Sequence, residues 1–384
     1  MVQLTVEKLV SKGEGLARHE GKAVFVRGAL PGETVLAEVV QQTRDYDRAE
    51  TVTVLESSPH RVVPACPYYD RCGGCDLQHA ATDVQPAWKQ EIVLENMRRI
   101  GSVDVQQNLH VLPVAFADGW TYRRRVRFHV DLEQHACGFL GRRSSDLIDI
   151  DHCPIFCDSL NRLLGEKRPL LLKAALMRKE REPWQHKNRY IEVPAFAGDT
   201  KVSLSETDVA VTIAQKTFWV DANVFFQNNR CLAPKMVDCV ASQTTGTTIV
   251  DLYAGVGTFA AFVESPERRV VAVEKDKRCL SLAQKNLRYT EFLTQSAEQF
   301  SRVYTTQQVD TVIVDPPRSG LDAKVVHTIA SWKPQQIIYV SCDSVTLARD
   351  CSRFERFGYR VKTLQVFDLY PQTSHIECIV TISQ

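Results

Sequence analysis

The sequence lacks the features that would place the protein in a membrane or make it a general coat for nucleic acids. Its first eight residues have no basic-then-apolar pattern of a secretory signal, and no apolar run is long enough to span a bilayer. The 384 residues carry 47 basic and 46 acidic side chains, so a nucleic-acid site would have to be a local patch. We therefore expect a cytoplasmic protein of two or three domains, because one core rarely organises so long a chain.

A second Cys-x-x-Cys pair, which many zinc sites contain, is missing as well. The sequence has one such pair, Cys72 and Cys75 with two glycines between them, and a third thiol at Cys66. Glycine in such a turn lets backbone amides come close to a bound metal or cluster. We expect the 12 cysteines to stay reduced in the cytosol, where clustered cysteines more often bind metal or catalyse than form disulfides.

The cysteine loop therefore predicts a 4Fe-4S cluster, since three close thiolates completed by a distant one suit such a cluster. Cys153, in the segment 151–155, is the predicted fourth ligand, and Cys157 and Cys137 are the alternatives. Zinc held by the same thiols is the alternative to the cluster.

Residues 1–58 alternate apolar and polar side chains between closely spaced glycine turns. Short strands of this kind, clearest at 23–27, 34–40 and 50–55, predict a small β-barrel. The segment resembles a TRAM domain, an OB-like barrel attached to RNA-modifying enzymes, and barrels of this kind bind RNA. A structural cap on the rest of the chain is the alternative.

After the cysteine loop the sequence predicts an amphipathic helix over 87–100 and then a basic strand. In the strand Arg123, Arg125 and Arg127 share one face, and apolar side chains share the other. Like charges along one face repel, so the pattern favours a bound phosphate backbone, with help from Arg142 and Arg143. A solvated basic face is the alternative.

From about Phe225 onward the pattern becomes an alternation of strands and helices, with strands at 248–252, 270–274 and 312–315. Such alternation predicts a doubly wound parallel sheet. Gly255 and Gly257 follow the first strand and let the chain pass close to a ligand, while Glu274 can accept hydrogen bonds from two ribose hydroxyls. The glycine loop alone also fits an NAD site.

The apolar, β-branched run 337–340 predicts a strand that is buried on both faces, and Cys342 follows it at once. The carboxyl edge of a parallel sheet is where such folds place their sites. A thiol there, near the start of a helix, tends to ionise and act as a nucleophile. A small buried core cysteine is the alternative.

The motifs together resemble the RNA 5-methyluridine (uracil-C5) methyltransferase family over essentially the whole chain, and most closely its iron–sulfur, TRAM-bearing branch that acts on 23S ribosomal RNA. The resemblance rests on the cysteine loop and on the segments 225–229, 251–257, 315–318, 341–343 and 375–377. It implies S-adenosyl-L-methionine as cofactor and RNA as partner.

By the same resemblance, the residues that contact the cofactor are Gln227, Tyr253, Glu274 and Asp315, the nucleophile is Cys342 and the general base is Glu377. The chain departs from the pattern in two places. Thr258 stands where relatives often have Asn. It is predicted as a cofactor contact from its place in the motif, although its side chain differs from theirs. The segment 293–298 lacks the expected Gly-Asp near the adenine, which leaves Ser296 or Glu298 as candidates.

The expected reaction starts when the Cys342 thiolate adds to C6 of a uracil, which makes C5 nucleophilic enough to take the methyl group. A base must then remove the C5 proton so that the thiol can leave. Glu377 is assigned to this step on a predicted strand over 374–380, and His375 is the competing base. The target base must be flipped out, which favours a single-stranded loop.

Three other functions remain open from the sequence. A transfer RNA could replace 23S ribosomal RNA as substrate. Cytosine-C5 methyltransferases use a second cysteine in the Asp-Pro turn, but the turn at Asp315 has none, which favours uracil. A non-catalytic RNA-binding iron–sulfur protein is the third alternative.

We therefore predict an α/β protein, a monomer, in three parts. Residues 1–58 form the OB-like TRAM barrel, residues 59–224 a small central α+β domain that carries the iron–sulfur cluster, and residues 225–384 a doubly wound, Rossmann-like methyltransferase domain. The chain is shorter than many relatives, which affects the extent of the central domain.

Overall fold

The computed structural model describes residues 1–104, 109–181, 189–303 and 308–384. Within these residues the strands form a six-stranded sheet, a five-stranded sheet, an eight-stranded sheet and a separate hairpin. No helix in the described ranges is both long and apolar enough to cross a bilayer.

The N-terminal sheet consists of β1 (Val2–Thr5), β2 (Lys8–Val10), β3 (Glu14–His19), β4 (Lys22–Arg27), β5 (Thr34–Gln42) and β6 (Tyr46–Glu56), in the order β1-β5-β6-β4-β3-β2. Irregular pairing between β5 and β6 bends the sheet. The backbone N–H of Glu7 reaches the carbonyl of Leu16, which brings β1 against β3 and closes the curl around buried apolar side chains. The predicted OB-like barrel is confirmed.

The middle of the chain begins with α1 (Gln85–Arg99), which has Pro86 in its first turn, where a missing N–H costs no hydrogen bond. The elements that follow are β7 (His110–Val111), β8 (Arg125–Asp131), β9 (Ala136–Leu140), β10 (Leu147–Asp149), α2 (Asp158–Leu164), α3 (Arg168–Arg181), β11 (Ile191–Ala197) and β12 (Val202–Ser203). The five-stranded sheet has the order β10-β9-β8-β11-β12. In β8 the apolar side chains are buried and Arg127 is exposed, as the alternation predicts.

The C-terminal part begins with the hairpin β13 (Val209–Ile213) and β14 (Lys216–Val220). The remaining helices are α4 (Ala233–Gln243), α5 (Ala260–Val263), α6 (Lys277–Asn286), α7 (Ala297–Val303), α8 (Ala323–Ser331) and α9 (Ser344–Glu355). The remaining strands are β15 (Thr248–Leu252), β16 (Arg269–Glu274), β17 (Thr290–Thr294), β18 (Thr311–Val314), β19 (Gln336–Ser341), β20 (Arg360–Phe367) and β21 (Glu377–Ser383).

The large sheet has the order β17-β16-β15-β18-β19-β21-β20-β7. Strands β15 to β19 are mutually parallel, and β21 lies antiparallel between β19 and β20. One face is covered by apolar side chains of α4, α5 and α6 and the other by those of α1, α8 and α9. The strand order reverses between β15 and β18, which is where doubly wound sheets open a crevice for ligands. The predicted doubly wound fold is confirmed.

One helix from the middle of the chain packs on this large sheet, and one strand from the middle of the chain joins it. Helix α1 packs against α9 and β20, and β7 pairs in parallel with β20. Lys89 of α1 is held by Asp368, with Nζ 2.6 Å from Oδ1 and side chains that are 2% and 1% exposed. Its ammonium also donates to the carbonyl of Tyr370 at 3.0 Å. The large sheet and its helices are therefore completed by residues that lie more than two hundred positions before their contacts in α9 and β20.

Replacing Lys89 with methionine is expected to lower the free energy of unfolding by about 3–5 kcal/mol, because the Asp368 carboxylate is then buried without a counter-charge. Urea unfolding followed by tryptophan fluorescence measures the change. The matched control is Arg360→Met, which removes an exposed partner of Glu355 and should cost less than about 1 kcal/mol. Equal losses in the two variants would contradict the role given to Lys89.

Candidate active site and cysteine cavity

The predicted nucleophile, Cys342, lies in the bend between β19 and α9 at the carboxyl edge of the sheet. The bend is rigid for local reasons. Asp343 caps α9 by accepting hydrogen bonds from the backbone N–H groups of Val345 and Thr346 at 3.1 and 2.8 Å. The hydroxyl of Ser341 accepts from the Asp343 N–H at 3.2 Å. The thiol is thus presented from a fixed turn, and its side chain is partly exposed.

The pairing of β19 with β21 brings Glu377 to the same place. Ser341 pairs with Cys378, so the residue after β19 and the first residue of β21 lie at neighbouring strand ends. Asp315 follows β18, the other neighbour of β19, and completes a group of one thiol and two carboxyls. The strand predicted over 374–380 begins only at Glu377, so His375 lies in the preceding loop.

The electrostatics of this group differ from the expectation. Burial, with the nearby carboxylates of Glu377 and Asp315, raises the pKa of Cys342 to about 12, although Arg318 opposes the effect. Burial raises the pKa of Asp315 to about 7. It raises the pKa of Glu377 well above its ordinary range, and Asp315 adds to that shift. The prediction that Cys342 ionises at the helix N-terminus is therefore wrong: burial and two acids outweigh the helix, and the thiol needs a proton acceptor.

His375, the competing base, is held by an arginine. Arg318 Nη2 donates to His375 Nδ1 at 2.9 Å. Partial burial and the Arg318 guanidinium lower the pKa of His375 to about 4, although one side of the residue remains exposed. A neutral imidazole whose Nδ1 accepts from arginine is a poor proton acceptor at that nitrogen, so the geometry favours Glu377 over His375 as the base.

A cavity of about 560 Å³ opens at the strand-order reversal beside this group. Its lining includes Tyr253 and Glu274, which were predicted to contact the cofactor, and also Ser296 and Glu298, the candidates near the adenine. Pro317 of the turn after Asp315 lines it too. The cavity therefore collects residues from the ends of four different strands.

The glycine loop under the cavity is shaped by unusual backbone angles. Tyr253 has a φ of 63°, and Gly255 and Gly257 have φ values of 55° and 84°. The Gly255 N–H donates to Glu274 Oε2 at 3.2 Å, which ties the loop to the end of β16. A side chain at position 257 would meet Leu287 at 2.7 Å, so only glycine fits there.

Three predicted cofactor contacts are not on the lining of this cavity, and one of them is Asp315, which is half-buried. Gln227 and Thr258 are 5% and 7% exposed and are absent from its lining. Gln227 lies in the loop after β14, where Asn229 Nδ2 donates to the carbonyl of Leu369. Their assignment as cofactor contacts stays a prediction.

The predicted metal ligands line a second cavity, of about 200 Å³, whose wall also includes His375. Cys66, Cys72, Cys75 and Cys153 all contribute to its wall, and the alternatives Cys137 and Cys157 do not. Within the described residues no group of three or more His, Cys, Asp or Glu side chains is arranged to hold a metal ion.

The character of this cavity still fits a cluster. Burial raises the pKa of Cys75 to about 12 and also raises the pKa values of Cys66, Cys72 and Cys153. The space between the thiols exceeds by more than an order of magnitude the roughly 10–15 Å³ that one water requires. One buried and three half-buried sulfur donors around such a space suit a group larger than one ion.

The two arginines predicted to assist phosphate binding both contact acceptors within the protein. Arg142 Nη2 donates to the carbonyls of Tyr69 and Cys75 at 2.9 and 2.6 Å, so it braces the cysteine loop. Arg143 pairs with Glu50 at 2.7 Å. Each guanidinium therefore has an acceptor within the protein, and the part of both arginines in phosphate binding stays a prediction.

Sequence reasoning missed Arg349 and Arg353, which line the larger cavity from α9. Both contact Asp350 at 2.9 Å, and Asp350 Oδ2 also accepts from the Leu321 N–H. The spacing of three and four residues along a helix places them on one face, which was the available signal. The sequence does not show that this face of α9 borders the cavity, because that depends on how the helix packs.

Comparisons with known proteins agree with this arrangement. Residues 178–384 match the family described as tRNA (Uracil-5-)-methyltransferase, and residues 1–52 match the TRAM domain. A relative from Shewanella sediminis, named 23S rRNA (uracil(1939)-C(5))-methyltransferase RlmD, is 29% identical over 98% of this chain and 95% of its own. An uncharacterized RNA methyltransferase from Halalkalibacterium halodurans is 29% identical over 100% of this chain and 96% of its own.

Among solved structures, the tRNA (uracil-54, C5)-methyltransferase of Pyrococcus abyssi in complex with S-adenosyl-L-homocysteine aligns with a TM-score of 0.74, at 22% identity and over 99% of both chains. At that identity the likeness shows the shared fold. The family match spans more than half of the chain and decides between S-adenosylmethionine and NAD. The chain belongs to the tRNA (uracil-5-)-methyltransferase family and is an S-adenosylmethionine-dependent RNA uracil-C5 methyltransferase with an N-terminal TRAM domain.

Proposed function

We propose that the protein methylates C5 of a uridine in 23S ribosomal RNA through a covalent bond between Cys342 and C6 of the uracil. The observation that carries the proposal is the meeting of one thiol and two buried carboxyls at the ends of β18, β19 and β21, beside the cavity lined by Tyr253 and Glu274. A thiol and a base that can both reach one pyrimidine ring are what addition at C6 and proton removal at C5 require.

In the first step Cys342 gives its proton to Asp315, which later returns it, and the sulfur bonds to C6 while the C5–C6 π electrons move onto the carbonyl oxygen at C4. The raised pKa values of Asp315 and Glu377 match this step, since an acceptor must compete with a thiol of high pKa. The enolate carbon C5 then attacks the methyl carbon, the bond from that carbon to the sulfonium breaks, and S-adenosylhomocysteine leaves as the neutral thioether.

In the second step Glu377 takes the proton from C5. The C5–C6 double bond re-forms as the C6–sulfur bond breaks, and Cys342 returns to its starting state with a proton. Summed over both steps, the C5–H bond is replaced by C5–CH₃ and one proton passes to solvent. Asp315 and Glu377 lie close together, and ionising both carboxyls at once is costly. Each of them therefore carries out one of the two proton transfers.

The choice of ribosomal RNA rests on similarity. The Shewanella sediminis relative carries the name of a 23S rRNA methyltransferase. The TRAM domain supports RNA as the macromolecular partner. Transfer RNA is the second candidate, favoured by the name of the Pyrococcus abyssi structure. We keep the prediction that the protein acts as a cytoplasmic monomer.

We also propose that Gln227, Tyr253, Thr258, Glu274 and Asp315 contact S-adenosylmethionine and that the chain divides at 1–58, 59–224 and 225–384. Tyr253 and Glu274 are supported by their place on the cavity wall. Glu274 would accept from the ribose hydroxyls, as the acid after the second strand of such a sheet does in related folds.

The function is tested with S-adenosylmethionine that carries a labelled methyl group, fractionated unmodified ribosomal and transfer RNA, and chromatography of the digested nucleosides. We expect label in 5-methyluridine from the ribosomal fraction. The same nucleoside from transfer RNA would overturn the substrate. Label in 5-methylcytidine, or none with folded protein, would overturn the reaction.

The four cysteines of the second cavity are proposed to hold a 4Fe-4S cluster, which would join the loop 66–75 to the segment that contains Cys153. When bound, such a cluster supplies a covalent cross-link between segments that are distant in sequence. Electron transfer is not needed for methyl transfer, so the proposed role is structural.

Replacement of Cys153 by serine is expected to remove most of the iron and sulfide from protein purified without oxygen. The matched control is Cys157→Ser, which alters a neighbouring cysteine outside the cavity wall and should keep the metal content and the visible absorption of the native protein. If Cys157→Ser lost the cluster and Cys153→Ser kept it, the ligand assignment would be wrong. Stoichiometric zinc in place of iron would overturn the cluster itself.

A further inference from the structure

We propose that Asp76, the residue after the last cysteine of the cysteine loop, positions the general base Glu377 for the proton-removal step. The inference rests on the proposed function and goes beyond it, because it assigns a positioning role to a residue outside the methyltransferase sheet. The connecting segment is the base loop, defined here as residues 368–376 between β20 and β21.

Asp76 is joined to the base loop by its side chain and its backbone. Its Oδ2 accepts from the backbone N–H of Ser374 at 3.0 Å and from the Ser374 hydroxyl at 2.8 Å. The N–H groups of Asp76 and Leu77 both donate to the carbonyl of Gln372 at 3.0 and 2.9 Å. Four hydrogen bonds therefore connect two residues next to the cysteine loop with the stretch that leads into Glu377.

The base loop needs such support because its backbone is strained. Gln372 has a φ of 67°, a conformation that side-chain-bearing residues rarely adopt, and it is 1% exposed. Its side chain accepts from Gln85 Nε2 at 3.0 Å and donates to Thr82 Oγ1 at 2.9 Å. A strained loop keeps one conformation only where its surroundings hold it there.

The rest of the base loop is held in the same way by residues outside the large sheet. Lys89 binds Asp368 and the carbonyl of Tyr370. Tyr122 donates to the carbonyl of Pro371 at 3.0 Å. Asp76 differs from these contacts in two respects: it lies next to a predicted cluster ligand, and it grips Ser374, only three residues before Glu377.

The nucleophile does not depend on Asp76. Cys342 lies in a bend whose hydrogen bonds are made by Ser341, Asp343 and the first turn of α9. Loss of the Asp76 contacts should therefore release Glu377 and leave Cys342 in place. Addition at C6 and methyl transfer would proceed, and removal of the C5 proton would fail. The expected consequence is a methylated enzyme–RNA adduct that accumulates.

The test uses the full-length holoenzyme with transcribed 23S ribosomal RNA, labelled S-adenosylmethionine and denaturing gels that retain only covalent adducts. For Asp76→Ala we expect turnover to fall on the order of 10²-fold, the loss associated with small misplacement of a catalytic group. The labelled adduct should rise at least about tenfold in the steady state, as the slowed release step requires. Asp76→Asn keeps an acceptor oxygen for Ser374 and should restore part of the turnover.

The matched control is Asp70→Ala, which removes the same charge from an exposed side chain in the same cysteine loop and should behave like the native protein. A second substrate isolates the step: RNA with 5-fluorouridine has no C5 proton, so the native protein and Asp76→Ala should trap equal amounts of adduct. If Asp76→Ala does not fold, Ser374→Ala removes the hydroxyl donor from the other side and should show a smaller rise in adduct.

Two results would overturn the inference while leaving the proposed function intact. One is an Asp76→Ala protein that releases product at the native rate. The other is a variant that traps less adduct than the native protein on the fluorinated RNA, which would mean that Asp76 supports folding or RNA binding in general. If the native protein itself forms no adduct with fluorinated RNA, the covalent mechanism fails and the inference fails with it.

Discussion

Replacement of Cys342 by alanine is expected to abolish methyl transfer, with a loss on the order of 10⁵-fold or more, because the reaction then has no nucleophile to activate C5 of the uracil. The thiol lies at the end of β19, where burial and two nearby carboxyls raise its pKa to about 12. A thiol with so high a pKa can add to C6 only if a neighbouring base takes its proton. Steady-state methylation of ribosomal RNA and the yield of adduct on 5-fluorouridine RNA measure the change.

RNA affinity and cofactor affinity should remain native in the Cys342 variant, since the cavity lined by Tyr253 and Glu274 is formed by other strands. The matched control is Cys351→Ala, a buried cysteine of α9 whose replacement should cost some stability and no chemistry. Retained turnover in the Cys342 variant would contradict the mechanism. If the Cys342 variant lost RNA affinity together with turnover, a binding role for the thiol would be favoured.

Replacement of Glu377 by glutamine is expected to lower turnover by about 10²- to 10⁴-fold and to leave a methylated adduct, because the C5 proton then has no acceptor. The amide has nearly the shape of the carboxyl and cannot take a proton. A denaturing gel with labelled S-adenosylmethionine distinguishes this outcome from that of the Cys342 variant, which should form no adduct.

The pH dependence follows from the direction of the pKa shifts. The working form of Glu377 is the carboxylate, and burial raises its pKa well above its ordinary value of 4.5. Turnover should therefore fall as the pH is lowered, and the fall should begin at a higher pH than for an exposed glutamate. Because Asp315, with a pKa of about 7, lies beside it, the acid limb belongs to the pair of carboxyls.

The control for the base is His375→Asn, which removes the alternative base that Arg318 holds at 2.9 Å. This variant should keep the acid limb and should not accumulate adduct. If His375→Asn trapped the adduct and Glu377→Gln turned over, the two residues would have exchanged roles. A native protein with a flat profile down to pH 5 would contradict the raised pKa of Glu377.

Much of the methyltransferase half could be predicted because its signals are local. Apolar runs of four to five residues gave β15, β16, β18 and β19 to within one or two residues. Gly257 was recognisable from its place in the glycine loop after the first strand. The structure explains why glycine stands there, since a positive φ and the nearby Leu287 side chain disfavour any larger residue. The place of Cys342 followed from one rule, that the carboxyl edge of a parallel sheet faces its ligand.

The failures of prediction have a common physical cause. The charge of a thiol depends on which acids surround it, and Cys342 meets Asp315 and Glu377 only after β18, β19 and β21 have paired. The contacts of Arg142 were equally hidden from the sequence, because the carbonyls of Tyr69 and Cys75 come beside it only on folding. A side chain's neighbours across the fold cannot be deduced from its neighbours in the chain.

The sequence by itself determined the classes of chemistry: a cysteine at a sheet edge, a glycine loop with an acid one strand later, and a cysteine loop with more than one choice of fourth ligand. Those features depend on residue type and on periods of two to four residues, which local backbone geometry sets. The tertiary structure alone decided which groups act together. It gathered Cys153 and not Cys157 with the cysteine loop, and it joined Asp76 to Ser374 across nearly three hundred residues. Which residues meet depends on strand register and on loop closure, and no short stretch of the sequence specifies either of them.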